Sequence, residues 1–337
     1  MKDDMIIDYE SIFTKYDENV SIALRKVGGE ILKALSQVKE NMIGGSADLA
    51  SSTNVRGNDG TFSVDNRIGR NINFGVREHA MGAICNGLAL HHLKSFASTF
   101  FVFSDYMKPA IRMSALSKLP VTYIYTHDSI AVGEDGPTHH PIEQLTMLRS
   151  IPNVNVIRPG DPYEVNEAYK IAFTSTYTPT VLVLTRQNVP VILKDKEIPV
   201  EKGAYIVSDS KKEIPDGILI ASGSELALAL NVKKELECED IDVRVVSMPS
   251  MYLFDKQSKE YKEQVLPSIV SRKMAIEMSD ATHYYKYVGI DGMVYGINKF
   301  GISGPSTQVI EEYGFTVNQI KEAFKTLDKV DYIRYIK

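Results

Sequence analysis

Cysteine is nearly absent from this chain. Two residues, Cys85 and Cys238, occur among 337, which excludes a disulfide framework and fits a reducing compartment. Long apolar runs are missing as well, and no stretch reaches the roughly 18 residues a membrane-spanning helix needs. The opening Met1-Lys2-Asp3-Asp4-Met5 lacks the basic-then-apolar order of a secretory signal, so a cytoplasmic protein with no membrane partner is expected. Positive charge is not in excess either. Lys and Arg total 38 against 43 Asp and Glu, a net charge of −5, so the chain has no global attraction for nucleic acid. Neither GxGxxG nor a P-loop is present, and no HExxH or CxxC spacing marks a metal site.

What is present is ordinary globular material, 44% hydrophobic and 24% charged, enough for about two domains at roughly 150 residues each. Residues 1–18 are acidic and mixed, and read as a lead-in segment. Val20, Leu24, Val27, Ile31, Leu35 and Val38 then fall at helical spacing, predicting one long amphipathic helix with Arg25 beside its buried stripe. From there, short β-branched runs (72–74, 121–125, 154–157, 181–184) alternate with helical patterns (78–91, 104–117, 163–173). A Pro-containing charged stretch, 191–202, separates this region from a second alternating one, 203–337. The fold class expected is α/β, with two domains, 19–190 and 203–337, each a mainly parallel sheet flanked by helices. Ligands of such sheets sit at the carboxyl ends of the strands, which directs attention to the loops 44–60, 75–79, 127–141 and 185–190.

The densest loop is 127–141, His127-Asp128-Ser129-Ile130-Ala131-Val132-Gly133-Glu134-Asp135-Gly136-Pro137-Thr138-His139-His140-Pro141. Its Gly and Pro punctuation, with three histidines and three acids, marks a functional loop. A solvated loop with capping acids, or a zinc site using His127, Asp135 and His139, are competing readings. Adjacent His139 and His140 point in different directions, so one of them at most faces a site. Glu78, in FGVREHAMGA (74–83), opens a helix where a carboxylate complements the dipole. That helix is small-faced through Ala80, Gly82, Ala83 and Gly87, which suits close helix–helix approach. Phe100, Phe103 and Tyr106 are spaced by three and share a face, either as core or as a pocket for a flat heteroaromatic ring.

In this order, GGSADL (44–49), FGVREHAMGA (74–83), THDSIAVGEDGPTHHPIEQL (126–145) and TRQN (185–188) resemble the pyrimidine-binding domain of transketolases. RVVSMPS (244–250) and FDKQSKEYKEQVLP (254–267) resemble the family's C-terminal domain. The resemblance implies transfer of a two-carbon ketol unit between sugar phosphates, as in the pentose phosphate pathway, with thiamine diphosphate and Mg²⁺ or another divalent metal. It implies that Glu78 hydrogen-bonds the cofactor's pyrimidine nitrogen, and that Phe100, Phe103 and Tyr106 surround the pyrimidine ring. Arg25, Ser46, His127 and Arg186 match the substrate-phosphate site, and Asp135 and His139 match groups on the sugar hydroxyls. Catalytic roles are thereby implied for Glu78, His127 and His139. His140 stands where many relatives carry Gln.

The family's GDG motif, which holds metal and diphosphate, has no counterpart. Asn58-Asp59-Gly60 and Ile290-Asp291-Gly292 lack the leading glycine, so no metal ligand is expected from this chain. The resemblance therefore implies half an active site, completed by a diphosphate-binding subunit or domain and inactive alone, with self-association into a homodimer. A component of another thiamine enzyme, such as deoxyxylulose-phosphate synthase, and a non-catalytic dimerisation module are the alternatives. The second domain offers no catalytic set; its Gly223-Ser224 turn reads as structural.

Overall fold

A computed structural model of the chain describes residues 7–327; the remainder of the expected lead-in, 1–6, and residues 328–337 lie outside the described residues. Among the described residues, thirteen strands form three sheets: β1 (Ser21–Ala23), β2 (Met42–Ser46), β3 (Asn71–Asn73), β4 (Lys94–Phe100), β5 (Thr122–Thr126), β6 (Asn155–Ile157), β7 (Thr180–Leu184), β8 (Asn188–Pro190), β9 (Tyr205–Ser208), β10 (Gly217–Ala221), β11 (Val243–Ser247), β12 (Lys273–Ile276) and β13 (Met293–Tyr295). The helices that matter for the site are α1 (Leu24–Val38), α2 (Ala50–Thr53), α3 (Glu78–Leu90), α4 (Ser104–Leu116), α5 (Gln144–Arg149), α6 (Pro162–Thr174) and α7 (Glu225–Glu237).

The first domain is a six-stranded, wholly parallel sheet of order β3-β2-β4-β5-β7-β6. Strand residues alternate faces with period two, and the two cores follow that alternation. Tyr123, Tyr125, Val181 and Val183 pack with residues of α3, α4 and α5, while Ile124, Leu182 and Leu184 pack with α1 and α6. The second domain has a five-stranded sheet of order β13-β12-β10-β11-β9, parallel except for the antiparallel edge strand β9. Leu219 and Ala221 face α7 and the closing helix Val317–Lys325, while Ile218 and Ile220 face the opposite core. Both domains are therefore α/β, each with a mainly parallel sheet between helical layers.

One element departs from the sequence pattern. Helical spacing begins at Val20, but residues 21–23 form β1, paired antiparallel with β8 through Ser21–Pro190, Ile22–Val189 and Ala23–Asn188. Strand pairing to a segment far along the chain overrides local periodicity there, and α1 starts at Leu24. At its other end Val38 is 39% exposed rather than buried. The stretches flanking the first domain are packed: Ile12 and Val200 enter the α1/α6 core, and Leu193 the second domain's core. Asn166 in α6 also binds both backbone groups of Thr14.

Chain order reverses direction at β2, which has β3 on one side and β4 on the other. Such a switch point opens a crevice at the carboxyl ends of the two strands, here marked by Ser46 and Phe100.

Candidate functional site

Glu78 is the first residue of α3 and only 7% exposed. Its Oε1 accepts a hydrogen bond of 3.1 Å from Thr99 Oγ1 in β4, and Oε2 has no hydrogen bond among the described residues. Phe100, next to Thr99, carries the aromatic face of the crevice. Its ring lies 6.2 Å from Phe103 in a stacked arrangement and 3.6 Å from the His127 imidazole. Phe103 contacts His139 edge-on at 5.5 Å and Tyr106 at 6.3 Å. The aromatic face thus runs from His127 through Phe100 and Phe103 to Tyr106, which is 65% exposed.

His127 follows β5 and adopts φ 64°, in the left-handed region that non-glycine residues seldom occupy. Its Nδ1 lies 2.8 Å from Thr126 Oγ1. Burial, followed by the charges of Arg25, Arg186 and His139, pushes the imidazole down to about 3, so the ring is neutral at physiological pH. Burial and the neighbouring Arg186 also lower Arg25, which places the two guanidiniums and the imidazole in one electrostatic neighbourhood. Thr185 holds this arrangement together. Its Oγ1 accepts from the Leu24 N–H at 3.1 Å and its carbonyl from the Arg25 N–H at 3.3 Å, so the start of α1 sits beside Arg186. Arg25 Nη1 donates to the Ser52 carbonyl, while Arg25 Nε is buried with no partner. Buried Ser46 closes β2, and its Oγ accepts from the Leu49 N–H at 3.3 Å. Asp48 beyond it is a second left-handed residue, at φ 63°.

The histidine loop divides its residues as adjacency requires. His139 faces the aromatics, whereas buried His140 sits 2.9 Å, through Nε2, from the Gly133 carbonyl. Gly133 is at φ 80°, and a Cβ there would lie 3.0 Å from the Ser306 backbone nitrogen, so glycine is needed both for conformation and for contact with the second domain. Asp135 is exposed and makes no hydrogen bond to the other candidates among the described residues. Its charge bears on His140 instead.

The residues fit two kinds of group. An accessible oxygen on a mostly buried carboxylate, held by the residue that precedes the ring of Phe100, suits a flat heteroaromatic ring that donates a hydrogen bond. An unpartnered buried guanidinium nitrogen beside a second arginine suits a phosphate. Metal chemistry has a different distribution: no group of three or more His, Cys, Asp or Glu among the described residues could hold an ion. The zinc reading of His127, Asp135 and His139 therefore has no support. Asp59, in the Asn58-Asp59-Gly60 turn, binds Arg70 at 2.5 Å, and Ile290 of the other echo is fully exposed.

Sequence reasoning missed Thr99, which orients Glu78, and the buried charges Asp128, Arg149, Arg158, Glu225 and Glu277 at the domain junction. A Thr within a strand, or isolated charges up to 149 residues apart in number, carries no local signal of such pairing.

Known proteins match along nearly the whole length. The family description "Transketolase, pyrimidine binding domain" covers residues 20–191, and "Transketolase-like TK C-terminal domain" covers 203–316. The transketolase of Bacillus subtilis is 52% identical over 97% of this chain and 50% of its own length. A crystal structure of Pichia stipitis transketolase in complex with sedoheptulose 7-phosphate superimposes with TM-score 0.90 at 38% identity, over 96% of this chain and 48% of that one. A split-gene transketolase, solved as an inactive β4 tetramer, superimposes with TM-score 0.72 at 26% identity, over 91% of this chain and 98% of that one. The chain spans about half the length of the curated relatives it matches.

Proposed function

The chain belongs to the transketolase family, and on that premise we propose that it is the C-terminal component of a transketolase, transferring a two-carbon ketol unit between sugar phosphates. The observation that carries this reading is that consecutive residues of one strand hold Glu78 and His127, since Thr99 binds the carboxylate and Phe100 packs against the imidazole.

When bound, thiamine diphosphate would supply nucleophilic carbon chemistry, and this chain's residues would bind and orient its pyrimidine half. In this chain, Glu78 would hydrogen-bond the pyrimidine ring, and Phe100, Phe103 and Tyr106 would pack around that ring and exclude water from it. Arg25, Arg186, His127 and Ser46 hold the substrate's terminal phosphate, with forked guanidiniums matching its oxygens. His127 contributes as a neutral hydrogen-bonding ring, consistent with its depressed titration. His139 and Asp135 contact sugar hydroxyls. The diphosphate and the divalent metal are held by a separate diphosphate-binding chain or domain.

Self-association belongs to the same reading. Helices α3 and α4 turn outward an apolar face that includes Ile84, Leu90, Met113 and Leu116, the last 68% exposed. Gly87 in α3 has nothing within 4 Å of a Cβ position, so its small size is not required by this chain and suits a second copy packed closely there. That the split-gene relative of the same span forms an inactive tetramer supports both association and dependence on another component. No helix among the described residues is long and apolar enough to cross a membrane. Cys85 and Cys238 are both free, as a reducing cytoplasmic setting would keep them.

The test is a ketol-transfer assay of the purified chain, alone and mixed with a diphosphate-binding transketolase half, with thiamine diphosphate and Mg²⁺. Activity in the mixture alone is expected. Full activity of the chain by itself, or an assembled complex that binds cofactor yet transfers nothing, overturns the reading.

A further inference from the structure

The second domain places none of the candidate residues in the crevice, yet it grips the turn that presents His127. Asp128, the next residue, is 1% exposed, and its Oδ2 accepts from Nε and Nη2 of Arg158 at 3.1 and 2.7 Å. Arg158 lies just beyond β6 and is completely buried. Its other edge is held from the second domain: Nη1 and Nη2 donate to Glu225 Oε1 and Oε2 at 2.9 and 3.0 Å, and Nη1 to the Ser222 carbonyl at 3.1 Å. The Gly223 N–H reaches back to the Arg158 carbonyl at 3.1 Å. On the other flank of the loop, Ser306 Oγ donates to the Ala131 carbonyl at 2.8 Å and Ser303 Oγ to the Glu134 carbonyl at 2.7 Å.

Cohesion between two domains does not require this chemistry. Buried ion pairs lose solvation and are commonly matched in stability by apolar residues of similar volume. What a forked guanidinium between two carboxylates adds is direction, because its planar donors fix both partners' orientations at once. The residue beside one of those carboxylates is in a strained backbone conformation, and such conformations persist only where the surroundings over-determine them.

We propose that Arg158, locked by Glu225 of the second domain, is a positioning residue that acts through Asp128 to hold the left-handed turn at His127 and so keep the imidazole against Phe100. The consequence for substrate rests on the transketolase reading; the structural claim does not.

The groups facing His127 are Thr126, Phe100, His139, Arg25 and Arg186, so the ring's own titration reports its position in the chain without any partner. Proton NMR of the histidine rings, with His127 assigned by its loss in His127→Gln, is followed from about pH 5 to 8, where an ordinary histidine titrates. The wild-type His127 signal is expected to stay flat. In Arg158→Lys, which keeps charge but loses the fork, and in Asp128→Asn, it is expected to titrate within that window, about a hundredfold gain in proton affinity. In the assembled enzyme the same variants raise KM for a phosphorylated acceptor about tenfold and change kcat less than twofold. Should Arg158→Lys fail to fold, Asp128→Asn carries the test, since it removes one of three carboxylates facing two arginines (Arg149 and Arg158). A folded Asp128→Asn chain whose His127 signal stays flat, with only its Tm lowered, overturns the proposal. A His127 signal that moves while KM does not leaves positioning intact and overturns the phosphate role of His127 instead.

Discussion

Thr99 and Glu78 are joined by a 3.1 Å hydrogen bond that ties the penultimate residue of β4 to the first residue of α3. The carboxylate is thereby fixed by one oxygen, and the other has no hydrogen bond among the described residues. Replacing Glu78 by Gln keeps an acceptor for Thr99 and the side-chain volume while removing the acid. Ketol transfer in the assembled enzyme is expected to fall by about a hundredfold or more, in the range of lost acid–base function, with Tm nearly unchanged. Thr99→Val, which removes one hydrogen bond of about 1 kcal/mol, is expected to weaken cofactor affinity only several-fold. Isothermal titration and steady-state rates on both variants check the ranking; equal losses would contradict it.

Arg186 is exposed beside the partly buried Arg25. A charge-assisted contact to phosphate contributes about 1.5–3 kcal/mol. Arg186→Ala is therefore expected to raise KM for a sugar phosphate by about one to two orders of magnitude. The unphosphorylated counterpart should be used equally well by both enzymes, and a parallel loss for it would remove Arg186 from the phosphate site.

Glu164 lies in α6 and is completely buried between the domains, accepting from Tyr205 Oη at 2.7 Å, Ser247 Oγ at 2.5 Å and the Gly160 N–H at 2.6 Å. Burial raises its carboxyl to about 7, against the hydrogen bonds that lower it. The folded chain therefore keeps a proton that the unfolded chain has already released above an ordinary glutamate's titration. Stability from this group is complete at the acid end of that interval and declines as pH rises toward 7. Wild-type Tm is expected to fall more steeply than that of Glu164→Gln between pH 5 and 8. Parallel Tm curves in thermal scans would refute the assignment.

The outward face of α3 and α4 gives an association test. Ile84 is 47% exposed and Leu116 68% exposed, and placing Asp at both positions puts like charges into any symmetric contact. Sedimentation at micromolar concentration is expected to show the double variant as a monomer and the wild type as a dimer or larger. A wild-type monomer at that concentration would remove this face from consideration.

The alternating strands and helices were legible because burial leaves periodic marks: Tyr123, Ile124 and Tyr125 go to opposite cores in turn, as a strand buried on both faces requires. The small residues of α3 and the spacing of Phe100, Phe103 and Tyr106 were visible for similar reasons. β1 was not, because three residues become a strand only through β8, some 165 positions later. Asp128 and Arg158 were equally hidden. In a sequence a buried charge looks the same as a solvated one, and only the folded chain brings its partner from residue 225. The clustering of Arg25 with Arg186 likewise depends on Thr185 capturing the start of α1.

The β1–β8 pairing has one further consequence. Because these strands run side by side, the route into the first domain and the route out of it share a single seam. The domain behaves as a cassette whose two attachment points are one strand apart, both next to the paired arginines. Whatever is joined ahead of β1 is delivered to the same edge from which the second domain departs. A break or fusion at that seam would thus leave the connectivity of the six-stranded sheet intact, while parting Ile12 and Val200 from the core they help to fill.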